Sequence, residues 1–277
     1  MTGNRASGEG YGSHGRGYPD SWTDAGGFLG ECIELVFTDR RGGFSSAPYD
    51  TLNLAFHTGD NHDVVVRNRM SVAGNLEIQP RCFVYLEQVH DLHVARVAAP
   101  PGLADGGGFP QAIAGADGVC TDARGLALAV LTADCVPIAI ADPSHSVIAM
   151  VHAGWKGTIG NITTAAIREM EALCGVDISR VRAVLGPSIG PCCYEVDKGR
   201  ARLFVEKYGK NGEVVVGNEG RRLDLKKANI LNLVRVGVRE ENILAVDGCT
   251  CCENRYFSYR RDGVTGRQGA FVFLGSR

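Results

Sequence analysis

The sequence predicts an α+β fold built on mixed β-sheets. Short apolar runs punctuated by Gly, Asp and Pro crowd the middle of the chain, the pattern of buried strands. Amphipathic stretches fall between and after them without strict β-α alternation, which argues against a doubly wound parallel sheet. No G-x-G-x-x-G or Walker string opens any of them, so neither dinucleotide nor ATP binding is expected.

In chain order, residues 1–29 are rich in Gly, Ser and charged residues and show no periodicity, so they are expected to form a flexible tail. Residues 30–277 are then a single domain, since no internal linker interrupts them. Residues 33–38 read as a strand, and 63–76 as a helix with Val64, Val65, Val72 and Leu76 on one stripe. Residues 82–86, 92–97, 126–131, 137–141 and 147–151 read as strands. The clearest helix is 159–173, where Ile162, Ala165, Ala166, Glu169 and Leu173 keep helical spacing. A strand over 181–185 stops at Gly186-Pro187; helices follow at 198–208 and 225–236, and strands at 243–246 and 270–274.

At 277 residues and 44% hydrophobic, the chain can bury one large core. A net charge of −2, with basic residues spread along the sequence, gives no footprint for nucleic acid or a membrane surface. No apolar run approaches the roughly 18–20 residues of a membrane helix, and the N-terminus lacks a secretory pattern. These two readings argue for the cytoplasm, and the ten cysteines, dispersed or adjacent in a large apolar chain, are expected to be mostly reduced. A monomer or small homo-oligomer is expected.

Cys135, in Thr132-Ala133-Asp134-Cys135-Val136-Pro137, and His152, in His152-Ala153-Gly154-Trp155-Lys156-Gly157, both sit at ends of predicted strands, where rigid scaffolds hold chemistry. His90, in Glu87-Gln88-Val89-His90, lies at the edge of a third apolar run. Two imidazoles and a thiolate make a tetrahedral metal site with one open position, the catalytic pattern for zinc. Their spacing matches no recognised zinc string, so an inert buried cysteine beside core histidines is the alternative.

Read together, the motifs resemble the multicopper polyphenol oxidoreductase (laccase-like) family, whose members are also described as purine nucleoside phosphorylases. The strings that carry the resemblance are Phe37-Thr38-Asp39-Arg40-Arg41-Gly42-Gly43-Phe44-Ser45, Pro48-Tyr49, Leu52-Asn53-Leu54, His57 with Gly59-Asp60, and Asn68-Arg69. They continue with Glu87-Gln88-Val89-His90, Ala116-Asp117-Gly118, the Cys135 and His152 strings, and Gly186-Pro187-Ser188-Ile189-Gly190-Pro191-Cys192-Cys193-Tyr194-Glu195-Val196. Cys249-Thr250, Phe257-Ser258-Tyr259-Arg260-Arg261-Asp262-Gly263 and Thr265-Gly266-Arg267 complete them. The resemblance implies a His90, Cys135, His152 metal site that also carries the catalysis. It implies phosphorolysis of adenosine, inosine, guanosine and methylthioadenosine, together with adenosine deamination. It also implies mixed sheets packed as a sandwich with flanking helices, like the catalytic domain of cytotoxic necrotizing factor toxins. Purine nucleosides and phosphate are the implied partners, and zinc, with copper as an alternative, the implied cofactor.

Zinc would stabilise the thiolate and supply a nucleophilic water near neutral pH, which suits deamination. Phosphorolysis asks instead for a group that places phosphate near the ribose. Arg40, beside Gly42-Gly43, is a candidate for that contact, and Arg260 and Arg261 carry the same possibility, with only one able to face the site from a strand. Gln88 falls on the same face as His90 if the stretch is extended, and so is a candidate substrate contact. Asp134 is a candidate for orienting a ligating imidazole. His57 and His62 read as exposed loop residues. Cys192-Cys193 with Cys249, Cys251 and Cys252 offers soft ligands, but adjacent cysteines are not expected to converge on one ion.

Two rivals stand beside the nucleoside enzyme. A metal-free Cys-His hydrolase of amidase or deamidase type would use Cys135 as nucleophile and His152 as base. A copper-dependent polyphenol oxidase in the strict sense needs a trinuclear cluster as well as a His2Cys copper, more imidazoles than the seven histidines provide.

Overall fold

The structure, a computed structural model, describes residues 17–102, 108–209, 215–216 and 220–275. Two mixed sheets form its centre. The first has five strands: β1 (Thr23–Asp24), β2 (Ile33–Phe37), β13 (Gln268–Leu274), β6 (Ala127–Thr132) and β3 (Phe83–Val84), in that spatial order. The second has six: β12 (Ile243–Ala245), β9 (Arg182–Leu185), β7 (Val136–Asp142), β8 (Val147–Ala153), β5 (Gly118–Thr121) and β4 (Val94–Arg96). A small antiparallel pair, β10 (Val215–Val216) and β11 (Arg222–Leu223), stands apart.

Alternation along the strands assembles the layers. Leu35 and Phe37 of β2, Leu128 and Val130 of β6, and Ala270 and Val272 of β13 face Ala139, Ala141, Ile148 and Met150 of the second sheet. The opposite-parity residues, Val36, Ala127, Ala129, Phe271 and Phe273, pack under Val72, Ala73 and Leu76 of α2 (His62–Leu76). On the far side of the second sheet, Ile138, Ile140, Ala149 and Val151 meet α4 (Ile162–Cys174), α5 (Lys198–Tyr208) and α6 (Leu225–Val236). Strands covered on both faces are apolar along most of their length, so the central strands read as apolar runs broken only near their ends, at Thr132, Asp142 and His152. The result is the expected sandwich with helices outside.

Three sequence expectations need correction. The tail ends earlier than residue 29: β1 pairs with β2, and α1 (Gly26–Leu29) buries Leu29 fully, because Ala25 and Leu29 close the inter-sheet core. The part of the expected tail over residues 1–16 lies outside the described residues. The single helix at 159–173 is two, α3 (Trp155–Gly160) and α4, because Asn161 turns left-handed at φ 67°. Lys207 Nζ and Asn232 Nδ2 bind carbonyls freed at that break. Arg260 and Arg261 lie on a helical turn, α7 (Tyr259–Asp262), not a strand.

Candidate metal centre

The chain changes sheets between Thr132, the last residue of β6, and Val136, the first of β7, and the connection Ala133-Asp134-Cys135 lies at one end of the sandwich. Register fixes what meets it there. Val136 pairs with Ala153 and Pro137 with His152, so Cys135 runs beside Gly154. His152 shares the parity of Ile148 and Met150 and points between the sheets. His90 arrives on the loop after β3. The ligand atoms of His90, Cys135 and His152 all lie within 4.8 Å of one another, with Cys135 Sγ 3.9 Å from His90 Nε2. The two imidazole rings meet edge to face at 4.8 Å.

A β-carbon at Gly154 would stand 2.9 Å from His90 Cδ2 and 3.1 Å from Cys135 Sγ. Only glycine leaves room for both side chains. The backbone around the cluster is held in costly conformations: Gln88, His90 and Asp134 have φ of 58°, 64° and 97°. Each such residue costs on the order of 1–3 kcal/mol, offset here by specific bonds. Asp134 accepts from Thr250 Oγ1 at 2.7 Å and from the Arg260 amide at 2.7 Å. Gln88 donates to the Leu131 carbonyl at 2.7 Å and accepts from its amide at 2.8 Å, as a strand partner would.

Asp117, not Asp134, orients the imidazole. Its buried carboxylate accepts from His152 Nδ1 at 2.8 Å and from the Asp91 amide at 2.7 Å. That commitment leaves His152 Nε2 to face the cluster. Burial alone would raise the Asp117 pKa, but the bond from His152 and that from Asp91 hold it below the usual carboxylate range. Burial would likewise raise the Cys135 thiol, yet the charge of His152 and bonds from His152 and His90 bring it down to about 6. Against a burial penalty of opposite sign, the Cys135 thiolate and Asp117 raise His152 to about 9. Thiolate and imidazolium therefore support each other, and two nitrogens with one sulfur form a donor set that fits a transition-metal ion.

This cluster lines a cavity of about 430 Å³, within the roughly 300–1,000 Å³ range of small-molecule sites. Arg200, Arg260 and Arg267 supply positive charge to its wall, and Trp155, Tyr194 and Tyr259 supply aromatic surface. Arg200 stacks on Trp155 at 4.5 Å, and Arg260 on Tyr194 at 5.2 Å. His57 also lines the cavity; burial, then the charges of Arg267 and Arg69, lower its pKa and favour the neutral ring.

Of the residues expected at the site, His90, Cys135, His152, Gln88 and Arg260 line this cavity. Arg40 does not. Its Nε donates to the Asp50 carbonyl at 2.6 Å, its guanidinium pairs with the Asp50 carboxylate at 3.1 Å, and it stacks on Phe257 at 4.8 Å. Arg261 is likewise spent on backbone carbonyls of Thr250 and Tyr256. Arg200, Arg267 and the role of Asp117 were not expected at the site; Asp117 and Arg267 lie in strings that carry the family resemblance, yet no spacing links Asp117 to His152. His62 stacks on Phe56 and pairs with Asp63. His93 contacts the Gly115 carbonyl, and His145 bonds Asp142. Among the described residues only one metal-capable group contains histidine.

The chain is 38% identical over 243 residues to a Corynebacterium glutamicum protein named purine nucleoside phosphorylase, covering 87% of this chain and 94% of that one. It is 40% identical over 239 residues to a Streptomyces coelicolor protein of the same name, covering 86% and 94%. The crystal structure of YlmD from Geobacillus stearothermophilus superposes with a TM-score of 0.84 at 32% identity, covering 92% of this chain and 97% of that one. Residues 34–275 match the model of one family, and on that span the chain belongs to the multi-copper polyphenol oxidoreductase laccase family.

Proposed function

We propose that this chain is a purine nucleoside phosphorylase, acting on adenosine, inosine, guanosine and methylthioadenosine, with adenosine deaminase activity, at a zinc site formed by His90, Cys135 and His152. The observation that carries the reading is the convergence of these three ligands on the wall of a cavity that three guanidinium groups and three aromatic rings share. The names of relatives at 38% and 40% identity support it. Zinc, or copper loaded in its place, would supply Lewis acidity and an activated water.

The rest follows from the chain's own side chains. Tyr259, together with Trp155 and Tyr194, each of which already carries a guanidinium on one face, offers aromatic surface for a purine. Arg260, fixed by the carbonyls of Cys193 and Glu195, and Arg200 and Arg267 lining the same cavity suit an anionic phosphate, which would lie against the sugar carbon where positive charge gathers. Gln88, with one N–H and one lone pair left after its two bonds to Leu131, can meet a ring heteroatom. Asp117 holds His152 in one tautomer throughout. Ten free thiols suit action in the cytoplasm, and no helix among the described residues is long and apolar enough to cross a membrane.

The Cys135, His152, Asp117 line also has the order of a nucleophile, base and orienting acid, so a Cys-His hydrolase is the second reading. Chromatography of adenosine incubated with the protein, with and without phosphate, separates the outcomes. Adenine and ribose 1-phosphate that require phosphate support phosphorolysis, and inosine formed without phosphate supports deamination. Adenosine left intact under both conditions refutes the proposal and favours the hydrolase.

A further inference from the structure

Cys192, Cys193, Cys249 and Cys252 bring four sulfur atoms within 4.8 Å of one another, at a place separate from the His90, Cys135, His152 group. Adjacent cysteines converge here because residues 190–193 fold back as a turn, with the Cys193 amide bonded to the Gly190 carbonyl at 3.0 Å. The second pair comes from a turn of the same kind, the Cys252 amide bonding the Cys249 carbonyl at 3.1 Å. A bridge between Ser188 and Cys249, and the Thr250 amide on the Ser188 carbonyl at 3.1 Å, set the two turns face to face.

We propose that these four thiols form a second metal site, a tetrathiolate centre for zinc or another thiophilic divalent cation, which clamps the two turns behind the cavity wall. Sulfur separations of 3.5 Å for Cys192 to Cys252 and 3.3 Å for Cys193 to Cys252 are close to the edge of a zinc–sulfur tetrahedron. That edge is about 3.8 Å for a bond of about 2.3 Å. A β-carbon at Gly190 would lie 3.2 Å from Cys192 Sγ and 3.5 Å from Cys249 Sγ, so a side chain there would press on both sulfurs. Arg222 and Arg260 donate to the carbonyls of Cys192 and Cys193 and set positive charge beside what would be a net anionic centre. Cys192 and Cys252 are exposed, which gives an ion a path in, and Cys251 stands outside the quartet. Binding requires only that the thiols release their protons to water as the metal–sulfur bonds form. A disulfide across the same atoms would instead need a two-electron oxidant, which nothing in the cluster supplies.

The centre would act on the cavity by position. Tyr194 and Glu195 follow Cys193 directly, Arg260 is bonded to the carbonyls of Cys193 and Glu195, and Thr250 fixes Asp134 beside Cys135. The ion would thus hold the wall that carries Tyr194 and Arg260.

Cobalt(II) titration of stripped, reduced protein tests this, because thiolate-to-cobalt charge-transfer intensity grows with the number of thiolates. The Cys135→Ala chain, which lacks the first site, is expected to bind about one cobalt with tetrathiolate intensity, and Cys192→Ser/Cys252→Ser in that background to bind none. Cobalt uptake by Cys135→Ala that is absent, or undiminished by the two serines, would overturn the proposal. So would a Cys193–Cys252 or Cys192–Cys252 disulfide found by mass spectrometry in protein isolated without oxygen. The Cys135→Ala titration decides the matter by itself if the serine variant does not fold.

Discussion

His152 Nδ1 lies 2.8 Å from Asp117 Oδ1 with both side chains buried, and this bond determines which imidazole nitrogen meets Cys135. Asp117→Asn removes the charge that holds the ring and its proton. Metal affinity is expected to fall about 10–100-fold, read by competition with a chelator, with turnover falling alongside it.

Gly154 is required by space rather than by backbone conformation, since an added β-carbon would stand 2.9 Å from His90 and 3.1 Å from Cys135. Gly154→Ala is expected to push the ligands apart and destabilise the fold by about 1–3 kcal/mol. Thermal unfolding and metal content measured on one preparation check both effects. Full metal occupancy in this variant would show that the three ligands do not converge as described.

Cys135 and Cys120 should differ sharply toward alkylating reagents. The Cys135 thiol is brought down to about 6 by His152 and His90 against its burial. Cys120 is raised to about 12, chiefly by burial. In stripped protein, iodoacetamide labelling of the Cys135 peptide should reach half its limiting rate near pH 6, while Cys120 stays unlabelled through neutral pH. Added zinc should protect Cys135.

Acid stability should depend on Asp142, a fully buried carboxylate at the end of β7. Burial raises its pKa, but bonds from Ser144, His145 and the Asp177 amide outweigh that and lower it. A group whose folded pKa is depressed contributes stability above its unfolded pKa and loses it as pH falls through the folded one. The native chain should therefore lose melting temperature below about pH 4, and Asp142→Asn, already less stable at neutral pH, should lose less over that interval. Parallel pH profiles of the two proteins would contradict this.

Helices α5 and α6 coincide with the predicted 198–208 and 225–236, because each has an Asp cap and a glycine just past its end. The central strands were legible because burial on both faces keeps them apolar almost throughout, with Asp142 and His152 near the ends. What escaped was whatever depends on positive φ or long-range pairing. Gln88 and His90 do not alternate along a strand; both are left-handed, and Gln88 instead completes the edge of β6 through Leu131. Arg40 sits beside glycines, as a ligand contact would, but Asp50 claims it. The link from Asp117 to His152 runs through the β5–β8 pairing, which no local pattern announces. Nor does the chain announce the convergence of Cys192 and Cys193 with Cys249 and Cys252, which depends on two facing turns.

The proposed nucleoside chemistry depends on the His90, Cys135, His152 centre. The most direct measurement is adenosine turnover in stripped protein as zinc is returned, with Cys135→Ala alongside. Activity is expected to vanish on stripping, to recover in proportion to the metal regained by the native chain, and not to recover in Cys135→Ala. Full turnover after stripping, or an unaltered rate in Cys135→Ala, would contradict that dependence.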